Sequence, residues 1–230
     1  MEDKIFIIAI PVYDRVDLMD IAAPREIFKF AGSEEGIKME VYYVGEPDPN
    51  NPEIAKQTVT RCGLLFTPDK TFDAEEVSNP SLIWVPGGAP DKLSEMLDKY
   101  PLPFFNYIEE KGKNAAWVTS VCEGAILLAK TGLLDGYKIT THYAFYPCMA
   151  AFPKVKLVKP CFGKYPRYIK DRNRITGGGI SSGLDEAIYI VKLIKGKKAA
   201  RNVQKVMQYY PKPPVKSKLT KATSCPVKGL

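Results

Sequence analysis

Residues 115–131 carry the pattern that decides the fold, and they read Ala115-Ala-Trp-Val-Thr-Ser-Val-Cys-Glu-Gly-Ala-Ile-Leu-Leu-Ala-Lys-Thr131. An apolar strand pattern runs directly into Cys122, and a helical pattern begins immediately after it. Gly124 removes a side chain where strand and helix must pass closely. This strand–turn–helix arrangement predicts a nucleophile elbow that holds the Cys122 side chain above the sheet edge. A helix N-terminus at that point favours the thiolate, whereas a buried, unreactive cysteine is the alternative interpretation.

The segments on either side of this elbow alternate between strand and helix patterns. Residues 5–13 and 81–86 are continuous apolar runs, typical of strands buried on both faces. Residues 20–30, 184–194 and 198–208 have helical patterns. Such alternation produces a parallel sheet covered by helices on both sides. The sequence therefore predicts an α/β fold, a single-domain three-layer α/β/α sandwich with a mostly parallel central sheet. We place this domain at residues 3–210, followed by a basic Pro/Lys-rich C-terminal tail at residues 211–230.

Composition excludes several classes of protein. With 230 residues, of which 45% are hydrophobic, the chain can bury a sizeable core and is not disordered throughout. No apolar run approaches the roughly 18–20 residues of a membrane helix, so no membrane partner is expected. Part of the net charge of +7 comes from residues 211–230, which hold five lysines and no acid. These lysines are not interleaved with aromatic residues, so we expect a solvated tail and no nucleic-acid partner.

The cysteines are five in number and widely spaced, at Cys62, Cys122, Cys148, Cys161 and Cys225. Because the number is odd and no C-x-x-C pair occurs, the sequence argues against both a disulfide framework and a zinc ribbon. The single histidine, His142, cannot build a multi-histidine metal site, so we expect no metal. The acidic start, Met1-Glu-Asp-Lys4, does not resemble a signal peptide. A reducing cytoplasmic location fits this cysteine pattern best.

Candidate site residues follow the predicted strands, because ligands bind at the carboxyl ends of strands in open α/β sheets. Asp20 follows the first strand, where it is either a helix N-cap or a general acid or base beside Cys122. Gly87 and Gly88 end another strand, and free N–H groups in such a turn can bind developing negative charge. His142 ends a later strand, where it is either structural or the partner of a Cys–His couple.

Residues 172–183 form a glycine-rich turn, Arg172-Asn-Arg-Ile-Thr-Gly-Gly-Gly-Ile-Ser-Ser-Gly183. The turn lacks the lysine of a P-loop, and its glycine spacing differs from G-x-G-x-x-G. We therefore expect it to let a helix pack closely against the elbow, not to bind a nucleotide.

Together these segments resemble the ThiJ/PfpI superfamily, whose fold is flavodoxin-like and related to that of the class I glutamine amidotransferases. Five segments spread over nearly the whole domain carry the resemblance: residues 18–28, 85–88, 119–125, 132–136 together with 140–142, and 172–187. Within the superfamily, the Asp20-x-x-x-Pro24 segment and the Thr140-Thr-His142 segment are similar to the isonitrile hydratase branch.

The resemblance implies a cysteine-dependent hydration of an isonitrile to an N-substituted formamide. Cys122 would form a thioimidate, and Asp20 would supply a proton and then orient water. Backbone N–H groups near Gly88 and Glu123 would bind developing charge, and the apolar flank at Ile21 would suit a small uncharged substrate. The resemblance also implies that no cofactor is needed and that the protein is a homodimer.

Two positions depart from the branch and leave the substrate open. Glu123 stands where hydratases usually carry threonine, and Tyr143 stands where they often carry tryptophan. If Glu123 were ionised beside the sulfur, it would raise the pKa of the Cys122 thiol. The alternatives are a glyoxalase-like lyase at the same site and a non-enzymatic redox sensor or stress protein built on Cys122. Peptidase activity is disfavoured, because protease-like members carry histidine at the position of Glu123.

Overall fold

The computed structural model describes residues 5–34, 36–215 and 217–230. Its strands are β1 Phe6–Pro11, β2 Met39–Gly45, β3 Pro47–Asp48, β4 Asn51–Ala55, β5 Thr58–Val59, β6 Leu65–Phe66, β7 Lys70–Thr71, β8 Leu82–Val85, β9 Trp117–Ser120, β10 Lys138–Ile139, β11 Lys156–Leu157, β12 Tyr168–Asp171 and β13 Arg174–Gly177. A seven-stranded sheet forms the centre of the structure, with the order β12-β13-β9-β8-β1-β2-β7. All neighbouring strands in it are parallel except the edge pair β12–β13. The predicted mostly parallel sheet is therefore confirmed.

Helices cover the sheet, with α1 packed against α5, and with α2 and α3 packed against α4. The longest, α5, is interrupted at Gly196, whose φ of 85° is not helical, and this break separates the two helical patterns of the sequence. Among the described residues, no helix combines the length and apolar character required to cross a membrane. The helices are α1 Leu18–Ser33, α2 Pro90–Asp98, α3 Pro103–Asn114, α4 Gly124–Lys130 and α5 Ser182–Val206, and short 3-10 segments occupy Glu75–Val77 and Tyr143–Ala151.

The core strands are buried because both sheet faces are covered. All four residues of β8 are inaccessible to solvent, as the continuous apolar run Leu82-Ile-Trp-Val85 predicts. The polar excursion between β2 and β7 forms two antiparallel pairs, β3–β4 and β5–β6. The second pair lies against the loop after β1, because Arg15 donates its N–H to Val59 and Arg61 donates its N–H to Val16.

The strand order fixes the place of a binding site. β1 lies between β2 and β8, so the strand order reverses at β1. In a doubly wound sheet, ligands bind at the carboxyl ends of the strands where the order reverses. The loops after β1 and β8 meet at this point, and the loop after β9 is one strand away. Gly87 and Cys122 lie in the loops after β8 and β9, and Asp20 lies in the first turn of α1, directly after the loop that follows β1.

The C-terminal segment corrects two sequence predictions. Cys148 and Cys225 form a disulfide, so the expectation that these two cysteines stay unpaired is wrong. The solvated tail is also wrong for the last residues, because Val227 is 1% exposed and the Lys228 N–H donates to Ser94 Oγ at 2.9 Å. Val227 and the disulfide to Cys148 hold the segment against the domain. The lysine-rich composition of the segment predicts neither contact. The division of the chain at residue 210 remains a prediction.

Candidate active site

The elbow at Cys122 has the geometry that its sequence predicts. β9 ends at Ser120, α4 begins at Gly124, and Cys122 lies between them with a φ of 56°, in the left-handed region that non-glycine residues rarely adopt. Two hydrogen bonds hold this conformation: the Cys122 N–H donates to Gly178 O at 2.8 Å, and Thr141 Oγ1 donates to Cys122 O at 2.7 Å. Only 1% of Cys122 is exposed. The strained turn and its two bonds fix the direction of the thiol.

Gly124 is required by the close passage of strand and helix. A Cβ atom built at this position would lie 2.1 Å from the carbonyl oxygen of Val85. Backbone cannot yield to such a contact without moving β8, so a side chain is excluded here. The sequence-based explanation of this glycine is thus confirmed.

Asp20 is buried in the first turn of α1, and its carboxylate turns toward the glycine turn after β8. Its Oδ2 accepts the Gly87 N–H at 2.9 Å, while Oδ1 has no hydrogen-bond partner among the described residues. The cap position of α1 is Asp17, three residues earlier, so the interpretation of Asp20 as an N-cap is wrong. A fully buried carboxyl group aimed at the elbow is instead the arrangement expected of an acid or base.

Four buried side chains converge at this point. One donor atom from each of Asp17, Asp20, Cys122 and Glu123 lies within 4.8 Å of all the others. Glu123 therefore faces the thiol, which the sequence could not decide. Asp17 is the residue that sequence reasoning did not select, although its i, i+3 spacing to Asp20 places both carboxylates on one face of a helix. We call these four residues the acidic cluster.

Burial and mutual repulsion dominate the electrostatics of the acidic cluster. Desolvation, the charge of Glu123 and the charge of Asp17 hold the pKa of Asp20 well above its usual range. Desolvation also raises the pKa of Glu123 to about 7. Desolvation, followed by the charges of Asp20 and Glu123, raises the pKa of the Cys122 thiol. The expectation that the helix N-terminus makes Cys122 a ready thiolate is therefore wrong, because burial and three carboxylates outweigh the dipole of the short helix α4.

Arg61 brings a positive charge to the acidic cluster from the loop between β5 and β6. Its guanidinium lies 3.5 Å from Asp17 Oδ1, and about half of its side chain is exposed. Its charge opposes the rise in the pKa of Glu123 and lowers the pKa of His142, although burial is the larger influence on both. No local motif singles out Arg61, because the β5–β6 pair reaches the site only through its contact with the loop after β1.

The remaining predicted site residues lie around the cluster. The N–H of Gly87 is already engaged by Asp20, so this glycine orients the carboxylate. Gly88 packs against Tyr13 and Arg15, where a Cβ atom would lie 2.8 Å from Arg15 O. Ile21 is 1% exposed and belongs to the hydrophobic core. The oxyanion role of Gly88 and of the Glu123 N–H remains a prediction.

His142 caps the 3-10 segment Tyr143–Ala151 with its side chain. Its Nδ1 accepts the Ala144 N–H at 3.2 Å, and its ring packs against Gly179, where a Cβ atom would come within 2.7 Å of Cδ2. Burial lowers the pKa of His142, which keeps the ring neutral near pH 7. This geometry favours the structural interpretation of His142 over a Cys–His couple.

The glycine turn of residues 177–183 supports the elbow from behind. Gly178 accepts the Cys122 N–H, and a Cβ atom at Gly183 would lie 3.3 Å from Val121 Cγ2. The start of α5 therefore packs directly against the residue before the cysteine, as the sequence predicts. Glu186, one turn into α5, is fully buried beneath this turn, and desolvation raises the pKa of its carboxyl group.

Replacing Glu123 with glutamine should stabilise the protein at high pH. The pKa of Glu123 is raised to about 7 in the folded state. The contribution of its protonated side chain to the free energy of unfolding is therefore fully present below the pKa of the unfolded state and is lost as pH rises through the folded value. Between about pH 4 and pH 8 the wild type loses about 3 kcal/mol of its free energy of unfolding in this way. The Glu123→Gln variant has no proton to lose at this position and should keep that stability. Urea unfolding at the two pH values measures it, with exposed Glu110→Gln as the control. A stability difference that does not change with pH would contradict this prediction.

Comparison with known proteins places these features in context. The sequence profile of the DJ-1/PfpI family matches residues 7–193. Isonitrile hydratase from Pseudomonas putida is 36% identical over 158 residues, which make up 67% of this chain and 62% of that protein. The HTH-type transcriptional regulator GbdR from Pseudomonas aeruginosa is 23% identical over 197 residues, or 85% of this chain and 48% of the regulator. The chain thus spans less than two thirds of the length of both relatives.

A solved structure gives the same result for the fold. The crystal structure of a ThiJ/PfpI family protein from Pseudomonas syringae superposes with a TM-score of 0.77 at 26% sequence identity. The superposition covers 92% of this chain and 78% of that chain. The flavodoxin-like α/β architecture expected from the sequence is therefore confirmed.

Proposed function

The chain belongs to the DJ-1/PfpI family, and from that premise we propose that it is a cysteine-dependent hydratase of small molecules that converts isonitriles to N-substituted formamides. The observation that carries this proposal is that a buried carboxyl oxygen of Asp20 lies within 4.8 Å of the Cys122 sulfur. The similarity to isonitrile hydratase over 67% of the chain supports the same substrate class.

The first half of the proposed reaction joins sulfur to the terminal carbon of the isonitrile. Cys122 loses its proton to a carboxylate of the cluster, its sulfur attacks the carbon of R–N≡C, and that carbon receives a proton from Asp20. The product is the thioimidate R–N=CH–S–Cys122. An acid must be protonated near neutral pH to act in this way, and burial gives Asp20 the raised pKa that this requires.

The second half adds one water molecule and releases the enzyme. A carboxylate of the cluster takes a proton from water while the water oxygen attacks the thioimidate carbon. The thioimidate nitrogen gains a proton from a carboxyl group of the cluster. The tetrahedral intermediate then expels the Cys122 sulfur and forms the carbonyl of R–NH–CHO. The two halves add up to R–N≡C plus water giving R–NH–CHO. Every proton that moves comes from water or from the side chains of the acidic cluster. The Gly87 N–H keeps Asp20 oriented through both halves.

A groove beside the elbow offers room for the substituent R. Its volume is about 1110 Å³, and Thr141 and Gly178, both hydrogen-bonded to the Cys122 backbone, form part of its wall. Met19, Tyr143 and Leu219 give its wall an apolar part, and Arg167, Asp185 and Lys212 give it a charged part. The apolar part would accommodate an uncharged substituent.

The alternatives are distinguished by experiment. A redox sensor would use the same buried sulfur of Cys122 and is distinguished by oxidation of Cys122 to the sulfinic acid while no substrate turns over. A glyoxalase-like lyase would use the same residues and is distinguished by turnover of methylglyoxal to lactate. The homodimer implied by the resemblance remains a prediction, which light scattering of the purified protein tests.

Incubation with cyclohexyl isocyanide tests the proposed function directly. We expect N-cyclohexylformamide in solution, and peptide mapping by mass spectrometry should locate a trapped adduct on the peptide that contains Cys122. Cys161→Ala is the matched control, since Cys161 is an exposed free cysteine, and its activity should equal that of the wild type. Absence of formamide, with the Cys122 thiol still alkylated by iodoacetamide, would overturn the isonitrile assignment.

A further inference from the structure

The acidic cluster has more acceptors than donors. Asp17 Oδ2, Asp20 Oδ1 and Glu123 Oε2 are buried oxygens without a hydrogen-bond partner among the described residues. The residues that carry them are 7%, 0% and 3% exposed. A buried carboxylate oxygen without a partner is costly, and it is satisfied either by a proton or by a cation. Protons satisfy these three oxygens while the carboxyl groups are neutral, and a cation bound beside the thiol would replace those protons.

The donor set specifies which cation would fit. We propose that Asp17, Asp20, Cys122 and Glu123 form a binding site for one divalent zinc ion. Mg²⁺ and Ca²⁺ prefer oxygen-only sites, whereas a thiolate together with carboxylates suits Zn²⁺. Four protein ligands are also the number that zinc takes in closed tetrahedral sites. The sequence shows no metal-ligand spacing because two ligands follow β1 and two follow β9.

The spacing of the donor atoms is close to that of a zinc site. Tetrahedral zinc with oxygen at about 2.0 Å and sulfur at about 2.3 Å keeps its ligands roughly 3.3–3.5 Å apart. The four donor atoms already lie within 4.8 Å of one another. Small rotations of the carboxylates about their side-chain bonds would close this difference.

The backbone around the cluster is held before any ligand binds. Cys122 is fixed by its bonds to Gly178 and Thr141, and Asp20 by the Gly87 N–H. The Asp17 N–H in turn donates to Gly87 O at 3.0 Å, so the loops after β1 and β8 are tied together. The guanidinium of Arg61 lies 3.5 Å from Asp17 Oδ1 and about half of its side chain is exposed, so zinc at this site would replace Arg61 as the partner of Asp17.

Zinc in this position would occupy the sulfur that the proposed function needs. This consequence, which rests on the proposed function, is reversible inhibition: one equivalent of Zn²⁺ would stop isonitrile turnover, and a chelator would restore it. The binding site itself stands on the cluster alone, so zinc affinity measured without substrate and turnover measured with a chelator present can fail independently.

Titration of the chelator-treated full-length protein with Zn²⁺ tests the site. Calorimetry should give one ion per chain, and Cys122→Ser and Asp17→Asn should each weaken binding at least roughly tenfold. The double variant Cys62→Ser/Cys161→Ser, which removes the two exposed free thiols, should bind as the wild type does. Co²⁺ should give a thiolate charge-transfer band that Cys122→Ser abolishes.

Two results would overturn this proposal. One is a wild-type protein that retains no zinc, and the other is binding that survives in Cys122→Ser and disappears with the exposed thiols. Circular dichroism verifies that the variants fold. If Asp17→Asn does not fold, Cys122→Ser and the cobalt band still decide the outcome.

Discussion

Replacing Asp20 with asparagine should lower kcat for formamide production by about 10²–10⁴, the range typical of a lost general acid or base. Asparagine matches aspartate in shape, and its carbonyl oxygen can still accept the Gly87 N–H that Asp20 Oδ2 accepts at 2.9 Å. The site geometry is thereby preserved while the transferable proton is lost. Stopped assays with cyclohexyl isocyanide measure the effect, and Cys122→Ala sets the floor of uncatalysed reaction.

Asp14→Asn is the matched control for this substitution. Asp14 lies on the same loop after β1, but its carboxylate accepts the Val59 N–H and approaches Lys56 Nζ at 3.9 Å, away from the thiol. Its substitution should leave kcat unchanged. If Asp20→Asn had the same rate as the wild type, the proton would have to come from another carboxyl group, and Glu123 is the neighbour placed to supply it.

The pH dependence of the rate has a definite sign. A general acid acts when protonated, so its contribution is present below the pKa of the folded state and is lost as pH rises above it. Burial holds the pKa of Asp20 well above its usual range, which extends this contribution toward neutral pH. Asp20→Asn should therefore flatten the alkaline decline of kcat, whereas a purely structural role for Asp20 would leave the shape of the profile intact.

The fold could be predicted largely because its determinants are local. The elbow at Cys122 and the buried run of β8 are short patterns with direct physical causes, namely a close passage at Gly124 and burial on both sheet faces. The same holds for the break in α5 at Gly196, where a φ of 85° ends the helix. Such features depend on neighbours in the sequence, so the sequence displays them.

The site was predicted only in part because its electrostatics are not local. Cys122 and Asp20 could each be selected from their own segments, but the acidic cluster depends on the meeting of two loops. Arg61 enters through a hairpin whose contact with the loop after β1 has no sequence signature. The pKa of the Cys122 thiol shows this most clearly, since desolvation and the charge of Asp20 reverse the effect expected from helix α4 alone.

Replacing Cys225 with serine should lower the free energy of unfolding by about 4.5 kcal/mol, the loop-entropy value for a link between residues 77 apart in sequence. The bond joins the C-terminal segment to the 3-10 segment that His142 caps. Its loss opens the loop between the two cysteines in the unfolded chain, and the higher conformational entropy of that chain favours unfolding. Guanidinium unfolding without reductant measures the change. Cys161→Ser, which removes an exposed unpaired thiol, is the matched control and should leave stability unchanged.

A thiol count decides whether this effect has the proposed cause. Denatured, unreduced wild-type protein should react with iodoacetamide at Cys62, Cys122 and Cys161, and modification at all five cysteines would show that the bond is absent. Val227 and Lys228 also contact the domain near the bond. If the bond served only to hold this segment against the domain, Cys225→Ser would release the segment alone: trypsin would cleave faster at its lysines while the unfolding midpoint stayed at the wild-type value. That result would contradict a global role for the disulfide.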